Sequence, residues 1–334
     1  CAAVESPPTV VAQDLRRGVV MLGVCWLVGW GVDCVDTWRA AELYRRAAEQ
    51  EYPPALCDLG LCYENANGVE EDKARAAALY RQAAELDYAP AMCNLAVCYL
   101  NGIGVEENMG ETVAWLEKAV AAGSPRAAGI LGDFCLDGRG VEVDKERAIS
   151  LYRQAAEGGY LPAWCDLGLC YENGQGIAED LEQAAACYRR AADGGYLPAM
   201  TNLAVCCLNG TGTERSPEEA ARWLEQAAER ELPQAQYALG KLLLTDDPDV
   251  CDPSEGIRWL NAAAQNGNDY TAYALGKEYL QGDHVLKNAN TAAEYLHQAA
   301  EAQNPWAQYL LGKLYLMGEG VEQDRSEERR VGKE

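Results

Sequence analysis

A leucine returns every 36 residues along this chain, at positions 59, 95, 131, 167, 203, 239, 275 and 311. The residue after it is always small: Gly60, Ala96, Gly132, Gly168, Ala204, Gly240, Gly276 and Gly312. Four residues before it stands Ala55, Ala91, Ala127, Ala163, Ala199, Ala235, Thr271 or Ala307. A constant period over eight copies confines the chain to a tandem-repeat architecture, in which each unit buries its apolar side against its neighbours. Longer echoes obey the same period. CDLGLCYENA (57–66) returns as CDLGLCYENG (165–174), and CNLAVCYLNG (93–102) as TNLAVCCLNG (201–210), each after three repeat lengths. Duplication of a three-repeat block accounts for both.

Each copy has one grammar. A helical run such as ALCDLGLCYEN leads into a Gly-x-Gly turn (Gly102-Ile-Gly104, Gly174-Gln-Gly176), then Val or Ile and acidic residues. A second run with helical spacing follows, as in Ala76, Leu79, Tyr80, Ala83 and Ala84. A breaker such as GGYLPA, at 158–163 and 194–199, ends the unit. No sustained period-two alternation occurs, so no strand is expected. The apolar segment 19–32, VVMLGVCWLVGWGV, imitates a signal-peptide core, but it is short for a bilayer span and carries three glycines. Leu22-Gly-Val-Cys-Trp, Gly29-Trp-Gly31 and Trp38…Tyr44 follow the repeat grammar with one extra residue, so residues 18–54 read as a divergent first repeat. In the copy from Ala235, Asp246-Asp247-Pro248-Asp249 replaces the Gly-x-Gly turn, which leaves its helix connection in doubt.

The unit resembles the Sel1-like repeat, a relative of the tetratricopeptide repeat. The resemblance rests on A-x-x-x-[LG]-[GA]-x-x-Y…G-x-G-V-x-x-D…A…[WY]…A-A, met at Ala91–Ala119 and Ala163–Ala192. It implies an all-α fold: a right-handed superhelical α-solenoid of antiparallel helix pairs with a scaffold or adaptor role. The expected organisation is a frayed lead-in at 1–17 and one solenoid over 18–324. Its repeats are 18–54, 55–90, 91–126, 127–162, 163–198, 199–234, 235–270, 271–306 and a half repeat at 307–324. The tail 325–334, RSEERRVGKE, lacks the apolar positions of a second helix and resembles translated adapter sequence. The chain starts at Cys1 and ends on a half-built repeat, so it reads as a fragment of a protein that continues.

Numbering each repeat from its Ala, positions 1, 5, 6, 8 and 9 fall on one arc of the first helix. They hold the near-constant Ala, Leu, small residue, mostly Cys and mostly Tyr. Positions 3, 7, 10 and 11 vary and lie opposite, which in tetratricopeptide relatives is the concave face. On this reading Cys57, Cys93, Cys165 and Thr201 at position 3 line a groove, with Leu61, Val97, Leu169 and Val205 at position 7. In the last three copies the pair becomes Tyr237 and Lys241, Tyr273 and Lys277, Tyr309 and Lys313. Tyrosine and lysine four apart share a helix face, so stacked repeats set three pairs in a ladder flanked by Tyr270 and Trp306. The ladder is the candidate partner-binding site, suited to an acidic or extended peptide. The competing reading has the tyrosines packing between repeats while the lysines reach past them to solvent.

The formal charge of −24 offers no broad basic patch for phosphate, so neither nucleic acid nor an anionic membrane is an expected partner. Protein or peptide partners remain. The fourteen cysteines do not form a metal site, because members of a pair such as Cys57 and Cys62 are five apart and diverge by about 140° on a helix. Cysteine-rich secreted relatives place one Cys on each helix of a repeat. Here the second helices hold almost none, Cys187 excepted, and position 8 trades Cys for Phe134, Leu242 and Leu314. The thiols read as reduced core residues, which favours the cytoplasm over export. The recurring glycines are turn glycines rather than a nucleotide loop. His284 falls in a loop and His297 on a second helix. The relatives raise β-lactam hydrolysis, but S-x-x-K, S-D-N and K-T-G are missing. No cofactor and no catalytic residue is expected. The alternative function is a non-catalytic arm of a larger enzyme, or a hydrolase of the cysteine-rich kind.

Overall fold

The computed structural model describes residues 36–321. The readings of the lead-in, of the apolar segment 19–32 and of the tail 325–334 lie outside the described residues. Among the described residues there are sixteen helices and no strand, in two compact units that divide between Glu179 and Asp180. The first unit holds α1 (Thr37–Ala48), α2 (Pro53–Glu64), α3 (Lys73–Glu85), α4 (Ala89–Asn101), α5 (Met109–Ala121), α6 (Pro125–Asp137), α7 (Lys145–Glu157) and α8 (Leu161–Asn173). The second holds α9 (Leu181–Asp193), α10 (Leu197–Asn209), α11 (Pro217–Glu229), α12 (Pro233–Leu243), α13 (Pro253–Gln265), α14 (Asp269–Gln281), α15 (Ala289–Glu301) and α16 (Pro305–Met317). Even-numbered helices are the first helices of their repeats. Each of α2, α4 and α6, and of α10, α12 and α14, packs on the second helix that follows it, which in turn packs on the next first helix.

The two helix classes start differently. Second helices open on a capping side chain: Asp72 accepts from the Arg75 amide at 2.8 Å, Asp144 from Arg147 at 2.8 Å, and Ser216 from Glu219 at 3.1 Å. Four of the first helices open on extended Tyr52, Tyr88, Tyr160 or Tyr196 with proline in the first turn, where a missing N–H leaves no bond unmade. The Gly-x-Gly turn has two tasks. Gly102 ends α4 in the left-handed conformation, and its amide donates to the Cys98 carbonyl. Gly104 also has positive φ, and a Cβ there would lie 2.0 Å from the Lys73 carbonyl oxygen at the start of α3. The turn is thus pressed against the preceding repeat.

The copy from Ala235 reaches the same end without those glycines. α12 stops at Leu243, the Cys251 amide donates to the Asp247 carbonyl, and the Asp252 amide to the Leu243 carbonyl at 3.0 Å. The equivalent closing bond, from the capping residue to position 9, joins Asp72 to Tyr63, Asn108 to Tyr99 and Asn288 to Tyr279. The helix connection doubted from sequence is therefore made, by a different turn.

Within each unit the core sits between the paired helices of a repeat. A Cβ added at Gly60 would lie 2.6 Å from the Tyr80 ring, at Gly132 2.7 Å from Tyr152, and at Gly276 2.7 Å from Leu296. The small residue at position 6 is what lets a large second-helix side chain reach the first-helix backbone. Tyr80 and Tyr152 are fully buried yet donate their hydroxyls to Glu64 (2.5 Å) and Asp133 (2.8 Å).

Candidate functional site

The residues singled out from sequence all lie on first helices of the second unit. Lys241 on α12, Lys277 on α14 and Lys313 on α16 are exposed, and none has a carboxylate partner among the described residues. The tyrosines are placed unequally. Tyr237 is half-buried against Leu244, Leu260 and Leu275, and burial, with Tyr273 nearby, pushes its hydroxyl pKa up. Tyr273 is half-buried against the cluster around Ala272, Leu296 and Leu311. Tyr309 is 59% exposed, and the Lys313 ammonium lies 4.6 Å from its ring centre. Tyr270 and Trp306, at 68% and 67%, are more exposed still. They sit three residues before Tyr273 and Tyr309 and seven before Lys277 and Lys313, so each trio shares one helix face. The open surface is thus one of lysines with Tyr270, Trp306 and Tyr309, while Tyr237 and Tyr273 serve packing between repeats.

In the first unit, position 3 does not line a groove as the sequence suggested. Cys57, Cys93 and Cys165 are buried. Residues that open the next repeat cover this position: the Tyr160 ring lies 2.7 Å from where a Gly129 Cβ would be, Ser124 hydrogen-bonds Cys93, and Tyr88 neighbours Cys57. Position 8 is core, as expected, with Cys62, Cys98 and Cys170 buried. Burial raises Cys57 and Cys98 to about 12 and Cys62 and Cys170 to about 11, so these thiols stay protonated and unreactive at neutral pH.

Position 7 is more open, with Leu61, Leu169 and Val205 exposed and Val97 half-buried. Position 4, one turn away, was not singled out from sequence. It holds Asp58 and Asp166, which burial raises to about 6 and about 7, with Asp133 adding to the rise at Asp166. Glu278 was also missed. It occupies core position 8, is buried, and meets His284 Nδ1 at 2.9 Å. A carboxylate where other copies have Cys, Phe or Leu was the signal. Among the described residues no group of His, Cys, Asp and Glu could hold a metal ion, and no helix is long and apolar enough to cross a membrane.

The Sel1 repeat model matches nine segments: 20–52, 53–88, 89–124, 125–160, 163–196, 197–232, 233–268, 270–304 and 307–327. Among solved structures the chain is similar to a Sel1 repeat protein from Oxalobacter formigenes. The two are 28% identical, over 90% of this chain and 86% of that one, with a TM-score of 0.64. It is also similar to a protective antigen of uropathogenic Escherichia coli strains that displays an SLR fold. There the identity is 26%, over 96% and 85% of the two chains, with a TM-score of 0.53. No curated protein sequence matches it significantly.

Proposed function

The chain belongs to the Sel1 repeat family, and on that premise we propose that it is an interaction scaffold that holds an extended acidic segment of a protein partner on the first-helix face of its second unit. One observation carries this reading: three exposed lysines without carboxylate partners among the described residues, in one register on successive first helices of a chain of charge −24. Tyr270, Trp306 and Tyr309 supply exposed ring area beside them, which suits the rigid, amphipathic anchors of recognition surfaces. The buried, protonated thiols support work in a reducing compartment such as the cytoplasm.

The test is fluorescence anisotropy with a labelled Glu-Tyr-Ser repeat peptide and its Lys-Tyr-Ser counterpart. The acidic peptide binds in a salt-sensitive way, and Lys241→Glu with Lys277→Glu weakens it by about tenfold or more, on the order of 1.4 kcal/mol. Equal binding by wild type and the reversed pair would remove the lysines from the site.

A further inference from the structure

The first-helix face changes sign between the two units. The first helices of the first unit, α2, α4, α6 and α8, hold Asp58, Glu64, Asp133, Asp137, Asp166 and Glu172 against a single basic residue, Arg126. Their counterparts α10, α12, α14 and α16 hold three lysines and, besides the opening Asp269, only the buried Glu278. Positions 4 and 7 lie one turn apart on the same helix face. On α2 they are Asp58 and Leu61, and on α8 Asp166 and Leu169. On α6, position 7 is Asp133, which acts electrostatically on Asp166. Leu61 is 39% exposed and Leu169 41%. Neither Asp58 nor Asp166 has a hydrogen bond or an ion pair among the described residues. Arg126 is already engaged, donating from Nη1 to Asn94 Oδ1 at 2.9 Å.

We infer that this face of the first unit is a second docking surface, for a protein segment that alternates basic and apolar residues. Half-buried carboxylates without counterions stand beside exposed leucines on the same helices. A lysine or arginine supplies the missing charge and an apolar neighbour covers the leucine. A purely apolar segment would leave the carboxylates more deeply buried and unpaired, at a cost of several kcal/mol per ion, and an acidic one would be repelled. The surface is independent of the lysine face of the second unit and takes the opposite charge.

The probe is a fluorescein-labelled Lys-Leu-Ser repeat peptide, titrated against the full chain and compared with Lys-Ser-Ser and Glu-Leu-Ser repeats. Asp58→Asn with Asp166→Asn, and separately Leu61→Ser with Leu169→Ser, weaken Lys-Leu-Ser binding by about tenfold. Glu85→Gln with Glu157→Gln removes the same charge from second helices and changes it by less than about twofold. Lys241→Glu with Lys277→Glu leaves this binding in place, so failure of the acidic-segment reading stays distinguishable. Circular dichroism confirms helicity in every variant. The inference is overturned if Lys-Leu-Ser binds no tighter than Lys-Ser-Ser, or if the second-helix variant loses as much as the first-helix one. It is equally overturned if sedimentation reveals self-association that Leu61→Ser with Leu169→Ser abolishes, since a second copy would then cover the face.

Discussion

Tyrosine changes sides along this chain. In the first unit Tyr88 and Tyr160, which open first helices, lie against the small position-3 residues Cys57 and Gly129 of the repeat before. Further on, asparagines open the helices (Asn268, Asn304) and the tyrosines sit at position 3 as Tyr237 and Tyr273, packed into the inter-repeat clusters. The same ring volume is supplied from the opposite partner, so two of the tyrosines that looked like groove lining from sequence are largely fillers. Asp166 has a measurable consequence at this scale. It faces Asp133, the Tyr152 hydroxyl, Tyr160 and Cys170, and burial raises it from the usual carboxylate range to about 7. Its folded pKa lies above its unfolded value of about 3.9. The stability tied to its protonated form is therefore fully present below about pH 4 and is lost as pH rises through about 7. Asp166→Asn cannot ionise. Denaturant melts are expected to show it stabilised by on the order of 1–2 kcal/mol at pH 8, after discounting for partial exposure, with the gain shrinking from pH 7 downward and vanishing near pH 4. An unchanged midpoint at pH 8 would mean that Asp166 is well solvated.

At the scale of elements, the second glycine of each turn is a packing residue as much as a turn residue. Gly104→Ala meets both a left-handed backbone and a carbonyl oxygen 2.0 Å away. Its cost is expected to be at least about 2 kcal/mol by urea denaturation. Gly123 also has positive φ but nothing within 4 Å of an added Cβ, so Gly123→Ala is expected to cost only about 1 kcal/mol. Equal costs would show that backbone strain alone governs both. The helix pairs themselves were legible in the sequence, because alanine spacing, the capping aspartates and the paired glycines all point to the same boundaries. The turn after α12 was not, because Thr245–Cys251 closes the connection through backbone bonds from Val250 and Cys251 to the Asp247 carbonyl, which leave no glycine signature.

For the whole molecule, the periodic residues specified the repeat and the variable ones were left to distinguish its faces. That division made the lysines easy to find and the carboxylates easy to miss. Lys241, Lys277 and Lys313 stand out against a charge of −24, whereas Asp58 and Asp166 disappear into an acidic composition until their burial, with no hydrogen bond or ion pair among the described residues, is seen. Position 3 was misjudged because a helical wheel treats one repeat in isolation, and the cover comes from the next. On the proposed reading, recognition is confined to first helices, with the charge it selects set separately in each unit. Hydrogen–deuterium exchange with and without bound peptide tests this most directly. With the acidic Glu-Tyr-Ser peptide, slowed exchange is predicted in α12, α14 and α16 and not in α11, α13 and α15. Protection concentrated on the second helices, or spread equally over both classes, would contradict it.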